Sequence, residues 1–348
     1  MGIRWLAWVI AGWLVLAAAA QQERYREREV LDPESGQWVA RPAPPPSTPV
    51  GALDQARELL ARGEYKAVRK LLAEWTEQNP DHERYYEAEL LLGDAEFGRE
   101  HYYQAYEHYE LVAENTGGEL FYKVLRRELE VARAFLAGEK RIVWKFLRLP
   151  AYDDGIEILD RIWERVPGTR LGELALKLKA DYYFTHGEMD LAQDEYANLV
   201  REHPYGRYTK LAMLRAAEAA EAAFPGIKFD DRALLDAEVR YRQLESQFPA
   251  YAEQEHVAER LAGIRQLRAE KDLYVARWYQ KTGRPDAAAF YYRLIVKDWP
   301  ETLAAREARA ALRELGYGLE DESAGEESAL DEASPDESSD NQAAEDQP

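Results

Sequence analysis

Three times between residues 51 and 316 a proline stands seventeen residues after a glycine: Pro80 after Gly63, Pro204 after Gly187 and Pro300 after Gly283. A spacing kept that strictly is a constraint on the backbone. Glycine suits a tight turn between two antiparallel helices. Proline ends the second helix, because its missing N–H and its ring stop propagation. A small residue follows the glycine by four or five positions, as Ala67, Ala192 and Ala287 or Ala288. A bulky one follows a turn later, as Leu71, Tyr196 and Tyr291 or Tyr292. The spacing therefore predicts close helix pairs with one buried large side chain in each.

From Gly51 to Leu315 apolar residues recur three and four apart, as in Leu171, Leu174, Leu178 and Tyr182, or Tyr102, Tyr106 and Tyr109. That is helical periodicity. With a unit of about 34 residues it is the tetratricopeptide pattern. The cleanest copy runs from Glu173 to Pro204, and a second begins near Tyr86. The expected fold is all-α: a solenoid of five clear helix pairs plus a partial one, with a capping helix from Glu301 to Leu315. Stacked repeats bury the face their neighbours leave open.

Two insertions break the period. Gly138–Pro150 falls inside the third repeat and mixes Lys140, Arg141, Lys145 and Arg148 with Trp144, Phe146 and Leu147. It is read either as a loop folded back on its own repeat or as a contact for a partner or membrane surface. Phe224–Arg232 reads as a plain connector.

The flanks differ in kind. Arg4 precedes an apolar run from Trp5 to Ala20 that ends in three alanines, so residues 1–20 read as a secretory signal cleaved after Ala20, with an uncleaved anchor as the alternative. Residues 21–50 read as a hairpin around Asp32–Gly36 and a proline-rich spacer. The repeat domain is placed at 51–316. Residues 317–348 read as an acidic, disordered tail: twelve acidic side chains and no Lys or Arg lie between Glu320 and Pro348. The chain carries a net charge of −20, which argues against a nucleic-acid partner.

Catalytic and metal chemistry find little support. Cysteine is absent, which removes disulfides, thiolate catalysis, cysteine-bound metals and an acylated cysteine. Ser246 is the one serine between residues 51 and 316. His101 and His108 lie two helical turns apart, too far to share a metal, and read as a solvated helix face. A non-enzyme without cofactor or metal is expected. A stack of helix pairs holds a peptide on the face lined by the first helix of each pair. Counting register in the two clearest copies puts Glu87, Asp94, Phe97, Lys177, Asp181 and Phe184 there.

The C-terminal end carries more specific motifs. Glu270 to Gly283 reads EKDLYVARWYQKTG and is followed by Ala287-Ala288-Ala289, by Asp298-Trp299-Pro300-Glu301-Thr302 and by Leu315-Gly316. In content and order this resembles the outer-membrane assembly lipoprotein family BamD, or YfiO, over roughly residues 52–316. The resemblance implies a periplasmic adaptor of the machinery that folds β-barrels into the outer membrane, with proteins or peptides of the envelope as partners. It implies client segments on the N-terminal repeats. It places docking to the barrel-shaped core subunit around Tyr274, Arg277, Trp278, Lys281 and Arg284. The chain departs from the family by lacking a cysteine to lipidate and by carrying Phe290-Tyr291 where an Asn-Arg pair is frequent. A coordinator of cell-wall synthesis is the alternative reading.

Overall fold

A computed structural model describes residues 27–31, 36–42, 45–143 and 147–318. The expected signal at 1–20, the acidic stretch from 319 to 348, and Trp144, Lys145 and Phe146 lie outside the described residues. Among those described, fourteen helices account for almost all the regular structure, with two antiparallel hairpins. The chain divides into two compact units at Ala175/Leu176.

The first unit opens with strands β1 (Glu27–Leu31) and β2 (Trp38–Pro42), in register Glu27↔Pro42 through Leu31↔Trp38. Helix pairs come next: α1 (Pro49–Ala61) with α2 (Tyr65–Gln78), α3 (Tyr85–Gly98) with α4 (Tyr102–Asn115), and α5 (Gly118–Leu136) with α6 (Tyr152–Arg165). Between α5 and α6 the first insertion forms a second hairpin, β3 (Lys140–Val143) and β4 (Leu147–Pro150). Helix α7 (Arg170–Thr185) crosses into the second unit, which continues with α8 (Met189–Glu202), α9 (Thr209–Ala222) and α10 (Arg232–Gln247). A short α11 (Pro249–Gln254) leads to α12 (Val257–Lys281), α13 (Pro285–Asp298) and the cap α14 (Leu303–Leu315). The sixth pair is complete, and Thr302 opens α14 by accepting the Ala305 N–H on its hydroxyl.

The glycine–proline spacing has the expected cause. Gly63, Gly187 and Gly283 sit in the turns at φ +73°, +79° and +73°, where a Cβ costs about 1 kcal/mol or more. The second pair turns instead on Glu100 at φ +63°. Pro80, Pro204 and Pro300 each stand two residues beyond a helix end. The residue before each is pushed out of the helical region: Asn79 at ψ 53°, His203 at ψ 65° and Trp299 at ψ 47°.

The buried register falls on the fifth and ninth residues after the glycine: Val68 and Leu72, Ala192 and Tyr196, Ala288 and Tyr292. This corrects the first copy. Ala67 is exposed and Leu71 half-buried, because one residue along a helix turns a side chain by about 100°. The row Leu171, Leu174, Leu178 and Tyr182 is likewise half-buried; Ala175, Leu176 and Ala180 of α7 go inside. Tyr109, Tyr196, Tyr241 and Tyr292 are the largest fully buried side chains. Burial of each ring contributes roughly 1.5–3 kcal/mol. Each hydroxyl donates to the partner helix: to Asp94 (2.9 Å), Asp181 (2.6 Å), Glu221 (2.8 Å) and Gln280 (2.6 Å). Leu72 and Leu159 hold the same place in the first and third pairs.

The second insertion does more than connect. Its Asp231 accepts from Arg268 at 3.2 Å and Lys271 at 2.8 Å, tying the start of α10 to α12. Both guanidinium and ammonium hold the Asp231 carboxyl below its usual range, against the opposing effect of burial.

Candidate functional site

The sequence places six residues in a groove, three in each unit. In the first unit Asp94 and Phe97 of α3 line a pocket of about 340 Å³ with Tyr65 of α2 and Arg127 of α5. Arg127 meets Asp94 at 2.8 Å, and the same carboxylate accepts from Tyr109. The Tyr65 ring lies against Gly98, where a Cβ would fall 2.4 Å from it. The pocket thus has an aromatic wall and a guanidinium at its mouth, suited to an apolar side chain beside a carboxylate or carbonyl. Glu87 stands apart, held by Arg57 and by Arg84 (2.6 Å). In the second unit Lys177 pairs with Asp181, which also accepts from Tyr196. Phe184 packs edge-on against Tyr196 and lies under the Arg215 guanidinium at 5.0 Å.

Sequence reasoning missed Tyr65 and Arg127, which come from other repeats and have no register signal of their own. It also missed a second recess of about 480 Å³ between α5 and the start of α7. Leu129, Leu171 and Leu174 line it with Tyr122, Arg126 and Arg170. Leu171 and Leu174, half-buried at the start of α7, form part of its wall.

A charged cluster joins α4, α5 and α6. Arg165 reaches Glu110 at 2.6 Å and Glu128 at 3.4 Å, and Arg161 reaches Glu110 at 2.9 Å. Glu128 is fully buried, and its Oε1 has no hydrogen-bond partner. Burial, then the Glu110 charge, push the Glu128 carboxyl up to about 8. Burial also opposes ionisation of Glu110, but hydrogen bonds and charge from Arg165 overcome it and hold that carboxyl low. A signal existed: Glu128 occupies the core register of α5 beside Val124, Leu125, Val131 and Phe135.

His101 and His108 are each about a third exposed, and each ring pairs with a carboxylate. His101 Nδ1 lies 2.7 Å from Glu96 and His108 Nδ1 lies 2.7 Å from Glu89, both carboxylates being buried. Burying two acids needs polar partners, and these rings supply them. Among the described residues no three His, Asp or Glu side chains converge on a metal position.

On the first insertion Arg141 lies over the Tyr103 ring of α4 at 3.4 Å and pairs with Asp154 of α6 at 2.9 Å, which fastens the hairpin both to its own repeat and to the one before it. The opposite strand leaves Leu147, Arg148 and Leu149 exposed, and Lys140 is exposed as well. Trp144, Lys145 and Phe146 fall outside the described residues.

The last repeat carries an aromatic surface. Tyr274 and Trp278 lie one turn apart on α12 and are 40% and 48% exposed; Phe290 of α13 is 54% exposed. Trp278 meets Tyr279 edge-on, Tyr279 stacks on Tyr291 at 5.1 Å, and Tyr291 meets Phe290 edge-on. Four rings therefore form one chain across two helices. Arg277 pairs with Glu307 of the cap, while Lys281 and Arg284 are exposed in the turn. Phe290 and Tyr291 are legible in the sequence as a departure from the family; the ring chain they complete is not, because it needs α12 and α13 side by side.

Among the described residues no helix is long and apolar enough to cross a membrane. No curated protein matches the chain. Solved structures similar to it include the C-terminal part of a TPR repeat-containing protein from Cytophaga hutchinsonii, at 14% identity and TM-score 0.37, covering 75% of this chain and 87% of that one. A tetratricopeptide repeat protein from Parabacteroides merdae is similar at 10% identity and TM-score 0.35, over 76% and 97%. A thermophilic TPR protein in Thermus thermophilus is similar at 18% identity and TM-score 0.27, over 62% and 98%. The protein family described as YfiO, outer membrane lipoprotein, matches residues 151–330, just over half of the chain and all of the aromatic surface. The chain is a member of that family, and its described residues form an all-α helical repeat.

Proposed function

We propose that this protein is a non-catalytic scaffold of the cell envelope that docks a partner protein on the aromatic surface of its last repeat and takes a peptide segment in the pocket around Asp94, Phe97 and Arg127. The observation that carries the reading is the ring chain Trp278–Tyr279–Tyr291–Phe290, flanked by Tyr274, within the region that matches the family. Aromatic side chains left in water beside cations are what protein interfaces favour at their centres. The family resemblance makes the core subunit of the β-barrel assembly machinery the first partner to test. The description of the family as lipoproteins supports an envelope location, although none of the 348 residues is a cysteine.

The test is in-cell cross-linking of a C-terminally tagged protein with identification of what it captures. Capture of the barrel-assembly core by the wild type, and its loss in a Trp278→Ala, Phe290→Ala double variant of unchanged melting temperature, is the expected result. Capture of cell-wall synthesis enzymes, or capture indifferent to the double variant, would overturn it.

A further inference from the structure

The recess between α5 and the start of α7 is built on a fixed turn. Thr169 donates its hydroxyl to the Val166 carbonyl at 2.8 Å and accepts the Gly172 N–H at 3.2 Å. At Gly172 a Cβ would fall 2.4 Å from the Val166 carbonyl oxygen, so the first turn of α7 lies hard against the end of α6. That fixes where Arg170, Leu171 and Leu174 stand. Opposite them Tyr122, Arg126, Leu129 and Arg133 recur three and four residues apart along α5, which puts them on one stripe. From Tyr122 to Arg133 that stripe covers about 16 Å of helix axis, room for roughly five residues of extended chain.

The lining is unlike the chain as a whole. Its wall is apolar: Leu129 is buried, Leu171 and Leu174 are half-buried, and Tyr122 is left in water. Its rim is cationic, in a protein of net charge −20. Arg133 pairs with Glu130 at 2.8 Å, and Glu130 is the one acid of the lining. Arg126 and Arg170 are exposed, and among the described residues no carboxylate pairs with either. Arg170 is also the first residue of α7, where the helix dipole disfavours a cation. A carboxylate would meet such a guanidinium through two parallel hydrogen bonds. The open cations and the leucines beside them lack the same thing, a chain that is acidic and apolar at once.

We propose that this recess is a second peptide site, which docks an acidic, apolar segment of a partner protein. Leucine-like side chains of the segment pack on Leu129, Leu171 and Leu174, and the carboxylates that flank them meet Arg126 and Arg170. A concavity of about 480 Å³ receives side chains, whereas a flat membrane surface would leave it unfilled. The inference rests on neither the aromatic surface nor the pocket around Asp94, although Glu130 lines both that pocket and this recess.

The test uses the full-length chain and a fluorescein-labelled heptapeptide of three leucines flanked on each side by two acidic residues. Two control peptides change one property each: serine replaces the leucines, or lysine replaces the acids. A further copy carries benzoylphenylalanine at the central leucine for photo-cross-linking. Fluorescence anisotropy is expected to give a Kd below ~1 mM for the acidic, leucine-bearing peptide, and binding about tenfold weaker for either control and for an Arg126→Glu, Arg170→Glu variant. Both arginines are exposed and unpaired, so that variant should keep the wild-type melting temperature. Leu171→Ser, which alters the wall without touching a charge, should weaken binding in the same direction. Irradiation should attach the probe within Tyr122–Arg133 or Arg170–Leu174. No binding up to ~1 mM, equal binding of the lysine peptide, indifference to the arginine changes, or attachment at Phe97 or Trp278 would overturn the proposal. So would binding to phosphatidylglycerol vesicles that the arginine changes abolish while the peptide stays free. Attachment at Phe97 would leave the pocket around Asp94 standing, and attachment in the recess says nothing against it.

Discussion

Asp94 and Asp181 each accept a hydrogen bond from a tyrosine fifteen residues later, which joins the two helices of a pair at a buried point. Tyr196→Phe keeps the ring and removes the donor, leaving Asp181 short of a partner. A loss of about 1–2 kcal/mol is expected from urea unfolding, near the value of a hydrogen bond to a charged acceptor. Glu128 predicts a pH dependence. Its folded pKa near 8 exceeds the ordinary 4.5, so between those values the folded state keeps a proton that the unfolded chain has released. Its contribution to stability is complete below the lower value and is lost as pH rises through the upper one. Glu110, with its carboxyl held low, acts in the opposite sense and in the acid range. Glu128→Gln should therefore flatten the fall in stability from pH ~5 to pH ~8 and raise it by roughly 1–3 kcal/mol at pH ~9. Urea unfolding across that range checks it; an unchanged slope would count against the buried acid.

Among the elements, the turns show where a local rule was readable and where it was not. Gly63, Gly187 and Gly283 declare their turns, whereas the second pair makes the same turn on Glu100 and gives no glycine to find. Gly187→Ala should cost about 1 kcal/mol, since the left-handed region is then occupied by a residue with a Cβ. Glu100→Gly should change stability by less than about 0.5 kcal/mol, because relief of the same strain is offset by the added freedom of the unfolded chain. Denaturant midpoints of the two variants separate these cases. Gly93 carries a different constraint: a Cβ there would fall 2.4 Å from the fully buried Tyr109 ring, so Gly93→Ala should cost about 1–3 kcal/mol through overpacking.

For the whole molecule, the consequence of a repeat architecture is that stability is local. The buried cluster of α12, α13 and α14 is built around Leu273, Tyr292, Ile295 and Leu312. A separate cluster joins α1, α2 and α3 through Leu53, Val68, Leu72 and Leu92. Because each repeat contacts its neighbours alone, Leu273→Ala should remove about 2–4 kcal/mol from the last repeat and leave the first three helices protected. Amide hydrogen exchange reads this directly: protection falls in α12–α14 and holds in α1–α3. A uniform loss along the chain would mean a single cooperative unit instead.

Periodicity and the glycine–proline spacing determined the all-α repeat architecture, the helix ends and the capping helix, because each depends on interactions within a few residues of chain. The motifs from Glu270 to Gly316 were enough to place the chain in its family. The charge of the final thirty residues, and the absence of cysteine, were also plain from the letters alone. Which side of each helix goes inside was readable to within one residue, and that residue decided between Ala67 and Val68. The tertiary structure decided everything that depends on a side chain from another repeat. It brought Tyr65 and Arg127 to Asp94 and Phe97, and put Arg165 between two acids. It stacked Tyr279 on Tyr291 and turned Tyr317 back onto Asp286 and Arg293. Helical spacing specifies a face, but the neighbour that meets it is chosen by how helices from distant parts of the chain pack.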